Sequence, residues 1–318
     1  MTGAEVVVVG AGLSGVACAR ELRAAGVPAR LLDRGRRPGG RMASRRLWDR
    51  PVDLGASYLT ISDDDFGAVV ADWHGRGLAH PWTDTFCALE AGERAAKEGP
   101  VRWGAPGGLR SLVEDLAADL EVVPAEVADV AGLLGPGTAV VLAMPDPQAR
   151  RLVADDHPVA ALLDRDYEPV LALAARWSRR TWDQVSPTGR FDGAFVNGDD
   201  VLAWVADDGR RRGDDAPVLV AHSTPGLARR HLEDPAAAGP AMVAALCSLL
   251  ALPEPEDVHV HRWTYARPTG ERPATHALVD APDGLVGVCG DGWGASARVE
   301  GAWLSGRDLG RALVRRLV

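Results

Sequence analysis

The sequence predicts an α/β protein with two domains, one built from both ends of the chain and a second, mainly antiparallel one built from its middle. Three observations support this fold class. Residues 6–9 form an apolar run that leads through a glycine-rich turn into a helical pattern. Residues 285–289 form a second buried run, and a helical pattern continues from residue 299 to the C-terminus. Between these ends, alternating apolar and polar residues are typical of antiparallel strands.

The turn after the first predicted strand contains Gly10, Gly12 and Gly15 in the spacing GxGxxG. Gly10 permits a tight turn, Gly12 lets the backbone approach a pyrophosphate, and Gly15 lets the helix pack on the strand. A second predicted strand, residues 29–32, ends at Asp33, an acid at the distance expected for binding a ribose hydroxyl. The unit therefore predicts a dinucleotide site with the phosphates at the helix N-terminus. A glycine-rich turn in some other α/β unit is the alternative.

The residues after Asp33 distinguish between two dinucleotides. Gly39-Gly40-Arg41 offers a backbone that can close on a pyrophosphate from its other side and a guanidinium that can pair its charge. This continuation resembles the GG-R-x-x-S/T motif of FAD oxidoreductases of the glutathione-reductase-like superfamily, which includes the amine oxidases. We therefore expect a Rossmann-type domain that binds FAD rather than NAD.

Composition sets limits on partners and location. The formal charge of −9 argues against nucleic acid or an anionic membrane surface as a general partner. No stretch is long and apolar enough to span a bilayer, and no basic segment precedes the first apolar run as in a signal peptide. Cys18, Cys87, Cys247 and Cys289 show no CxxC or metal-ligand spacing. We expect reduced, mostly buried cysteines in a cytoplasmic protein without a metal site.

Strand and helix patterns along the middle of the chain place the domain boundaries. Helical patterns cover residues 66–75, 109–120 and 240–252, and strand patterns cover residues 52–59, 82–89, 101–103, 121–128, 138–144, 170–177, 193–196, 201–205, 218–222 and 258–265. Residues 138–144 are apolar enough for the central parallel sheet. The predicted FAD-binding domain comprises residues 1–60, 104–165 and 268–318, and the substrate domain comprises residues 61–103 and 166–267. The arginine run 210–212 is expected on a solvated turn or helix face.

The end of the chain predicts the other half of the cofactor site. Asp291 follows a buried strand, where a carboxylate can bind the hydroxyls of a ribityl chain. The helix predicted from Val299 presents free backbone N–H groups to the negative charge that develops at the pyrimidine edge of a reduced flavin. The Gly-Ala-Ser turn at residues 55–57 could approach a planar ring, or be an ordinary strand-end turn. The predicted FAD-binding residues are Gly10, Ala11, Gly12, Leu13, Ser14, Gly15, Asp33, Arg34, Gly40, Arg41, Met42, Gly55, Ala56, Ser57, Val127, Gly290, Asp291, Val299, Glu300 and Gly301.

Eight blocks of sequence carry a resemblance to a known group over nearly the full length. They are GGRMAS (39–44), DLGASY (53–58), VRWGAPGG (101–108), VLAMPDPQ (141–148), DGAFVN (192–197), VLVAH (218–222), HRWTYAR (261–267) and RVEGAWLSG (298–306). The chain resembles the bacterial renalase-like flavoproteins, and the middle blocks are the more particular to that group. Leu59 departs from the phenylalanine of the group's Tyr-Phe-Thr, and Ile61-Ser62 departs from its Ala-Arg.

The resemblance implies a fold, a cofactor mode and a reaction. The fold would be p-hydroxybenzoate-hydroxylase-like, with two domains and non-covalently bound FAD. The reaction would be oxidation of 2- and 6-dihydro isomers of NAD(P), with O2 as acceptor and H2O2 and NAD(P)+ as products. Amine oxidases of the superfamily instead carry a lysine that holds a water against flavin N5, together with two aromatic rings facing the flavin. Lys97, the only lysine here, lies in a hydrophilic run that predicts an exposed turn.

A dihydropyridine needs no catalytic base, because its hydride leaves as the ring becomes aromatic. We therefore favour the dihydronicotinamide reaction. An oxidase of an amine or another small molecule, and a flavin-bound module acting through a protein partner, remain alternatives. The predicted substrate-binding residues are Tyr58, Asn197, Trp204, His222, Trp263, Tyr265 and Trp293. His222 could instead be a hydrogen-bonded core histidine. Arg298, just before the last helix, is the predicted catalytic residue, pairing a substrate phosphate or stabilising reduced flavin.

Overall fold

The computed structural model describes residues 5–135, 137–281, 284–295 and 297–318, which form two compact units. The first unit comprises Met1–Met42, Arg110–Tyr167 and Arg267–Val318, and the second comprises Ala43–Leu109 and Glu168–Ala266. Residues 43–60 and 104–109, which the sequence assigns to the FAD-binding domain, belong to the second unit, and residues 166–167 and 267, which it assigns to the substrate domain, belong to the first. Asp53 ties residues 53 and 109 into the second unit, because its buried carboxylate binds the Leu109 backbone N–H at 3.1 Å and Arg212 at 3.0 Å.

The elements are numbered along the chain. The strands are β1 (Glu5–Val9), β2 (Ala29–Asp33), β3 (Ser44–Leu47), β4 (Arg50–Asp53), β5 (His80–Glu90), β6 (Glu93–Gly104), β7 (Glu121–Pro124), β8 (Thr138–Leu142), β9 (Tyr167–Arg176), β10 (Gly193–Asn197), β11 (Leu202–Asp207), β12 (Val218–Ser223), β13 (Asp257–Pro268), β14 (Ala277–Ala281) and β15 (Gly284–Val288). The α-helices are α1 (Leu13–Ala24), α2 (Asp64–Gly75), α3 (Leu109–Leu116), α4 (Asp146–Ala149), α5 (Asp208–Arg212), α6 (Pro225–Arg230), α7 (Gly239–Leu250) and α8 (Val299–Leu317). Short 3₁₀ helices cover Gly40–Met42, Ala131–Leu133, Arg150–Leu152, Ala160–Leu162, Asp183–Val185 and Pro235–Ala238.

The first unit contains a six-stranded sheet in the order β14-β15-β8-β1-β2-β7. Strands β15, β8, β1, β2 and β7 are parallel, and β14 is antiparallel to β15 at the edge. The apolar run of β1 takes a central position because it can be buried on both faces of the sheet. The predicted strand at residues 121–128 ends early, at Pro124, which has no N–H to continue the ladder.

Two helices of the first unit cross with their backbones almost in contact. A Cβ on Gly306 of α8 would lie 1.9 Å from the Ser14 carbonyl oxygen of α1, and a Cβ on Gly310 would lie 2.8 Å from the Cys18 carbonyl oxygen. The contacts advance along both helices together, so α1 and α8 run in the same direction. Their N-termini, where the first N–H groups have no acceptor within the helix, therefore lie toward the same end of the unit.

The second unit contains a seven-stranded sheet in the order β13-β9-β12-β11-β10-β5-β6. Strands β5 and β10 are parallel, whereas the pairs β5–β6, β10–β11, β11–β12 and β9–β12 are antiparallel. Alternation along each strand gives the sheet two different faces. Leu171, Leu173 and Leu219 pack with Met242 and Leu246 of α7 on one face. The opposite face, called here the aromatic face, is built of the alternate residues Ala172, Ala174, Val218, Val220, Trp204, Phe195 and Phe86, packed with Val52, Leu54 and Tyr58.

The arginine run 210–212 is not a solvated turn, which corrects the sequence-based expectation. The side chains of Arg211 and Arg212 are 1% and 3% exposed. Asp208, in the same short helix, binds both guanidinium groups because residues three and four positions apart share a helix face. Burial would raise the pKa of Asp208, but Arg212 and Arg211 outweigh burial and hold this pKa below its usual value. The charges are therefore paired inside the second unit.

Other expectations from composition and pattern can be placed in the structure. Cys18, Cys87, Cys247 and Cys289 are free, and all but Cys247 are buried. Lys97 is exposed as predicted, although it lies within β6 and not in a turn. The helix predicted at residues 109–120 ends at Leu116, and i to i+3 bonds close the turns that follow. Among the described ranges no helix combines the length and apolar character needed to cross a bilayer.

Candidate cofactor site

The β1–α1 turn uses its three glycines in different ways. Gly10 has φ +111°, and a Cβ there would lie 2.5 Å from the Ala143 carbonyl oxygen. A Cβ on Gly15 would lie 2.0 Å from the Gly10 carbonyl oxygen, so both residues must be glycine for the chain to pack on itself. Gly12 differs, because its φ of −76° suits any residue and a Cβ would meet only the Gly40 Cα, at 3.7 Å. The small size of Gly12 therefore leaves room for a ligand beside the backbone.

Asp33 ends β2 and holds the β1–α1 turn. Its Oδ2 accepts the Ala11 N–H at 2.7 Å, and its Oδ1 accepts the Gly35 N–H at 2.6 Å. Each carboxylate oxygen has a second lone pair, so Asp33 can still accept ribose hydroxyls while it fixes the turn. Arg34, next in the chain, is exposed.

The double glycine after β2 lies against the β1–α1 turn. The Gly39 N–H donates to the Ala11 carbonyl at 2.9 Å, and Gly40 has φ +54°. A Cβ on Gly40 would lie 3.1 Å from the Gly12 Cα. The structure thus brings the two glycine segments together, as a site that encloses a pyrophosphate from two sides requires.

Arg41 and Asp291 form an ion pair between the two ends of the chain. Arg41 Nη2 donates to Asp291 Oδ1, and the side chains are 26% and 15% exposed. Burial would lower the pKa of Arg41, but Asp291 and Tyr167 outweigh burial and raise it. Arg41 therefore remains charged, and the pair leaves part of each group open to solvent. Asp291 follows β15, while Arg41 follows β2, so the pair lies after the carboxyl ends of two parallel strands.

The start of α8 supplies the remaining predicted residues of the first unit. Arg298 is the N-cap residue, with extended backbone and an exposed side chain. Val299 and Gly301 are half-buried, whereas Glu300, an acid in the first turn, is buried. Ser14, Leu13 and Met42 are also buried, and Val127 packs against the core cluster beside β15.

Trp293 is a packing residue in this structure, which corrects its prediction as an accessible substrate contact. The side chain belongs to the core cluster of the first unit that contains Val288 and Leu163, and the residue is 4% exposed. The Arg272 guanidinium covers the ring, with Cζ 4.0 Å from a ring centroid. A buried indole with a cation over its face has no open surface for a ligand to stack on.

The predicted residues of the second unit meet at the DLGASY segment, residues 53–58. Trp204, His222 and Trp263 all belong to the aromatic face, and Trp204 and His222 are paired across β11 and β12. His222 Nε2 lies 3.0 Å from the Leu54 carbonyl oxygen, and Trp263 Nε1 donates to the same oxygen at 2.9 Å. Trp204 Nε1 donates to Ser57 Oγ at 3.0 Å. Their polar atoms therefore hold the DLGASY segment, and His222 is the hydrogen-bonded core histidine named as the alternative.

Sequence reasoning missed Arg211, which binds the same segment. Its guanidinium donates to the Ser57 carbonyl at 3.0 Å and to the Asp53 carbonyl at 3.1 Å. The available signal was the Asp208-x-x-Arg211 spacing, because residues three positions apart lie on one helix face and the aspartate can then pair the charge of the arginine.

Tyr58 packs with its ring centroid 5.4 Å from that of Phe86 and 5.9 Å from that of Trp204.

Two other predicted substrate residues lie farther along the strands. Asn197 ends β10 with an exposed side chain, and Tyr265 is half-buried on β13. Both stay candidates for substrate contacts. The roles of Gly55, Ala56 and Ser57 in flavin binding likewise stay predictions.

Two family models match the chain. Residues 8–73 match an NAD(P)-binding Rossmann-like domain, and residues 118–313 match the flavin containing amine oxidoreductases. The curated hydroxyneurosporene desaturase of Cereibacter sphaeroides is 32% identical over 186 residues, covering 58% of this chain and 33% of that protein. The chain thus spans about a third of the length of this curated relative.

Solved structures share the fold. A triple mutant of putrescine oxidase superposes with a TM-score of 0.75 and 15% identity, covering 99% of both chains. Cyclohexylamine oxidase from Brevibacterium oxydans IH-35A superposes with a TM-score of 0.73 and 14% identity, also covering 99% of both chains. At these identities the likeness establishes a common fold and no common substrate. The assignment to a p-hydroxybenzoate-hydroxylase-like fold stays a prediction.

Gly12→Ala should weaken FAD binding by about tenfold or more, equivalent to about 1.4 kcal/mol, without loss of folding. The methyl group meets no atom of the chain closer than 3.7 Å, but it fills the space beside the turn. The measurement is fluorescence titration of apoprotein with FAD, with the thermal midpoint followed by circular dichroism. Gly75→Ala, at the end of α2 with nothing within 4 Å, is the matched control and should leave FAD affinity unchanged. An unchanged affinity in Gly12→Ala would remove Gly12 from the site.

Proposed function

Because the chain belongs to the flavin containing amine oxidoreductase family, we propose that it is a renalase-like oxidase of the 2- and 6-dihydro isomers of NAD(P). O2 would be the acceptor, and H2O2 and NAD(P)+ the products. FAD is the cofactor of this family, and the first unit is a Rossmann-like FAD-binding unit. The residues present fit the cofactor: Gly12 leaves space for a pyrophosphate, Asp33 retains acceptor capacity, and Arg41 retains its charge.

When bound, FAD supplies a hydride acceptor at flavin N5 and a route for electrons to O2. The residues of the chain bind FAD and the substrate, orient them, and compensate the negative charge that develops on the flavin. The first turn of α8 offers backbone N–H groups and the positive end of the helix dipole, which favour a developing negative charge. Arg298 adds a guanidinium at the N-cap of the same helix. We propose that Arg298 pairs a substrate phosphate or stabilises the reduced flavin.

The observation that carries the choice of substrate is the position of Lys97. This residue, the only lysine in the chain, is exposed on β6. An exposed lysine does not match the amine-oxidase lysine that holds a water against flavin N5. A dihydronicotinamide needs neither that lysine nor a base, because loss of hydride makes its ring aromatic.

The aromatic face of the second unit supports the same proposal. The predicted substrate residues of the second unit are indoles, two phenols, an amide and one imidazole, and that imidazole is engaged with the Leu54 carbonyl oxygen. His261 lies two residues before Trp263 on β13. Burial lowers its pKa to about 4, so this imidazole is neutral at physiological pH. Ring faces and an amide suit recognition of a planar carboxamide ring better than they suit proton abstraction.

An amine is the second candidate substrate. The family match and the fold shared with putrescine oxidase and cyclohexylamine oxidase favour it. For location we propose the cytoplasm, which is supported by four free cysteines.

Anaerobic mixing of the flavin-loaded protein with dihydronicotinamides separates the candidates. The 2- and 6-dihydro isomers of NAD(P) should bleach the flavin absorbance in a stopped-flow experiment, whereas ordinary 4-dihydro-NAD(P) should bleach it at least about tenfold more slowly, a difference of about 1.4 kcal/mol in barrier. Bleaching by putrescine or cyclohexylamine but by no dihydronicotinamide isomer would support the amine alternative instead. A spectrum that no small reductant changes would favour a flavin-bound module that acts through a protein partner.

Arg298→Ala should slow flavin reduction by about tenfold or more while FAD stays bound, because it removes charge at the N-cap of α8 and no contact of the β1–α1 turn. The measurement is the same anaerobic stopped-flow reduction, with FAD content read from the absorbance of the purified variant. Arg316→Ala is the matched control, since Arg316 lies in the last turn of the same helix and pairs with Asp280. Equal reduction rates in wild type and Arg298→Ala would contradict the catalytic role.

A further inference from the structure

Tyr167 contacts the ion pair of the cofactor site, although it belongs to no motif of that site. It is the first residue of β9 and the last residue of the Arg110–Tyr167 segment of the first unit. The Arg41 guanidinium hydrogen-bonds the Tyr167 hydroxyl, and Arg41 Cζ lies 5.6 Å from the ring centroid. Arg41 is therefore held by Asp291 on one side and by a phenol on another.

The same hydroxyl fills the space beside the turn that carries Asp291. A Cβ on Gly292 would lie 2.3 Å from the Tyr167 hydroxyl oxygen and 3.7 Å from Arg165 Cδ. Gly292 is thus required by the presence of this phenol. Because Gly292 is bonded to Asp291 in the chain, the phenol fixes the backbone next to the carboxylate as well as the guanidinium.

Arg165 holds the turn from the same stretch of chain. Its guanidinium donates to the carbonyls of Gly292 and Gly270, and its Nε donates to the Thr269 carbonyl at 2.8 Å. Arg165 is itself buried. Two groups therefore fix Gly292 independently. The Arg165 guanidinium binds its carbonyl, and the Tyr167 phenol packs against its Cα.

The phenol is suited to this position because it stays neutral. Burial, and to a smaller extent the charges of Asp291 and Asp146, raise the pKa of Tyr167 above its usual value. A neutral hydroxyl can accept from Arg41 and still donate one hydrogen bond. A carboxylate in the same place would compete with Asp291 for Arg41.

We propose that Tyr167 is a positioning residue for FAD, whose hydroxyl holds Arg41 and the Gly292 backbone so that Arg41 and Asp291 face the cofactor together. The inference rests on the cofactor roles predicted for Arg41 and Asp291, and it does not depend on the substrate. Removing the hydroxyl takes away one of the groups that hold the guanidinium, and FAD must then supply more of its ordering on binding.

Tyr167→Phe should raise the Kd for FAD by about tenfold, the size expected for one hydrogen bond to a charged group. The measurement is FAD titration of apoprotein, with the thermal midpoint as the readout of folding. Thr138→Val is the matched control, because it removes a hydroxyl that bonds Gly135 at the start of β8, and it should leave the Kd unchanged. Gly292→Ala should give a similar loss of affinity by displacing the hydroxyl.

A second arm separates positioning from general stability. In an Arg41→Met background, Tyr167→Phe should change the Kd for FAD by less than about twofold, because the group it positions is gone. A tenfold loss that persists in this background, or an unchanged Kd in both Tyr167→Phe and Gly292→Ala, would overturn the inference. Failure of the dihydronicotinamide proposal would leave these results unaffected, since FAD affinity is measured without substrate.

Discussion

The ion pair between Arg41 and Asp291 is the contact on which the cofactor site depends. Its partners lie 250 residues apart in the chain, yet each follows a strand of the same parallel sheet. Because both side chains are mostly withdrawn from solvent, the pair is less screened than a surface salt bridge. Around it the fold brings together Gly12 with Gly40, and α1 with α8 running in the same direction. Neither end of the chain could form this arrangement alone, which explains why the first unit is discontinuous.

In the second unit, the DLGASY segment is held both by its side chains Leu54 and Tyr58, which pack in the core, and by hydrogen bonds to its backbone. Indole and imidazole N–H groups from the aromatic face bind its carbonyl and hydroxyl oxygens, and Arg211 binds two more carbonyls. The segment would otherwise bury unsatisfied backbone groups, which is costly. Asp208 and Asp53 in turn neutralise the buried arginines. Polar atoms that looked like ligand contacts in the sequence thus bind the DLGASY segment, whereas Asn197 is exposed and stays a candidate for a ligand contact.

The sequence predicted the structure best where a local constraint allows only one backbone conformation. The GxGxxG turn, the apolar strand of β1 and the Gly-Asp at the end of β15 each specify a backbone geometry, and the structure brings all three to one site. The sequence predicted side-chain environments poorly where a residue's contact partner is distant in the chain. The arginine run does not indicate its distant partner Asp53, although the spacing to Asp208 indicates the near one. Nothing near Trp293 in the sequence indicates its contact with Arg272. The role of Tyr167 has no signal at all in the sequence, because a tyrosine beginning a strand is typical of any sheet.

The central claim is that Asp291 and Arg41 together make the FAD site of the first unit. It is tested most directly by titrating apoprotein with FAD for wild type, Asp291→Asn and the control Asp280→Asn, whose carboxylate pairs with Arg316 at the surface. The account predicts one FAD per chain in wild type and in Asp280→Asn. For Asp291→Asn it predicts at least about tenfold weaker binding with the thermal midpoint retained. Wild-type affinity in Asp291→Asn, or a purified protein that cannot be loaded with flavin, would contradict it.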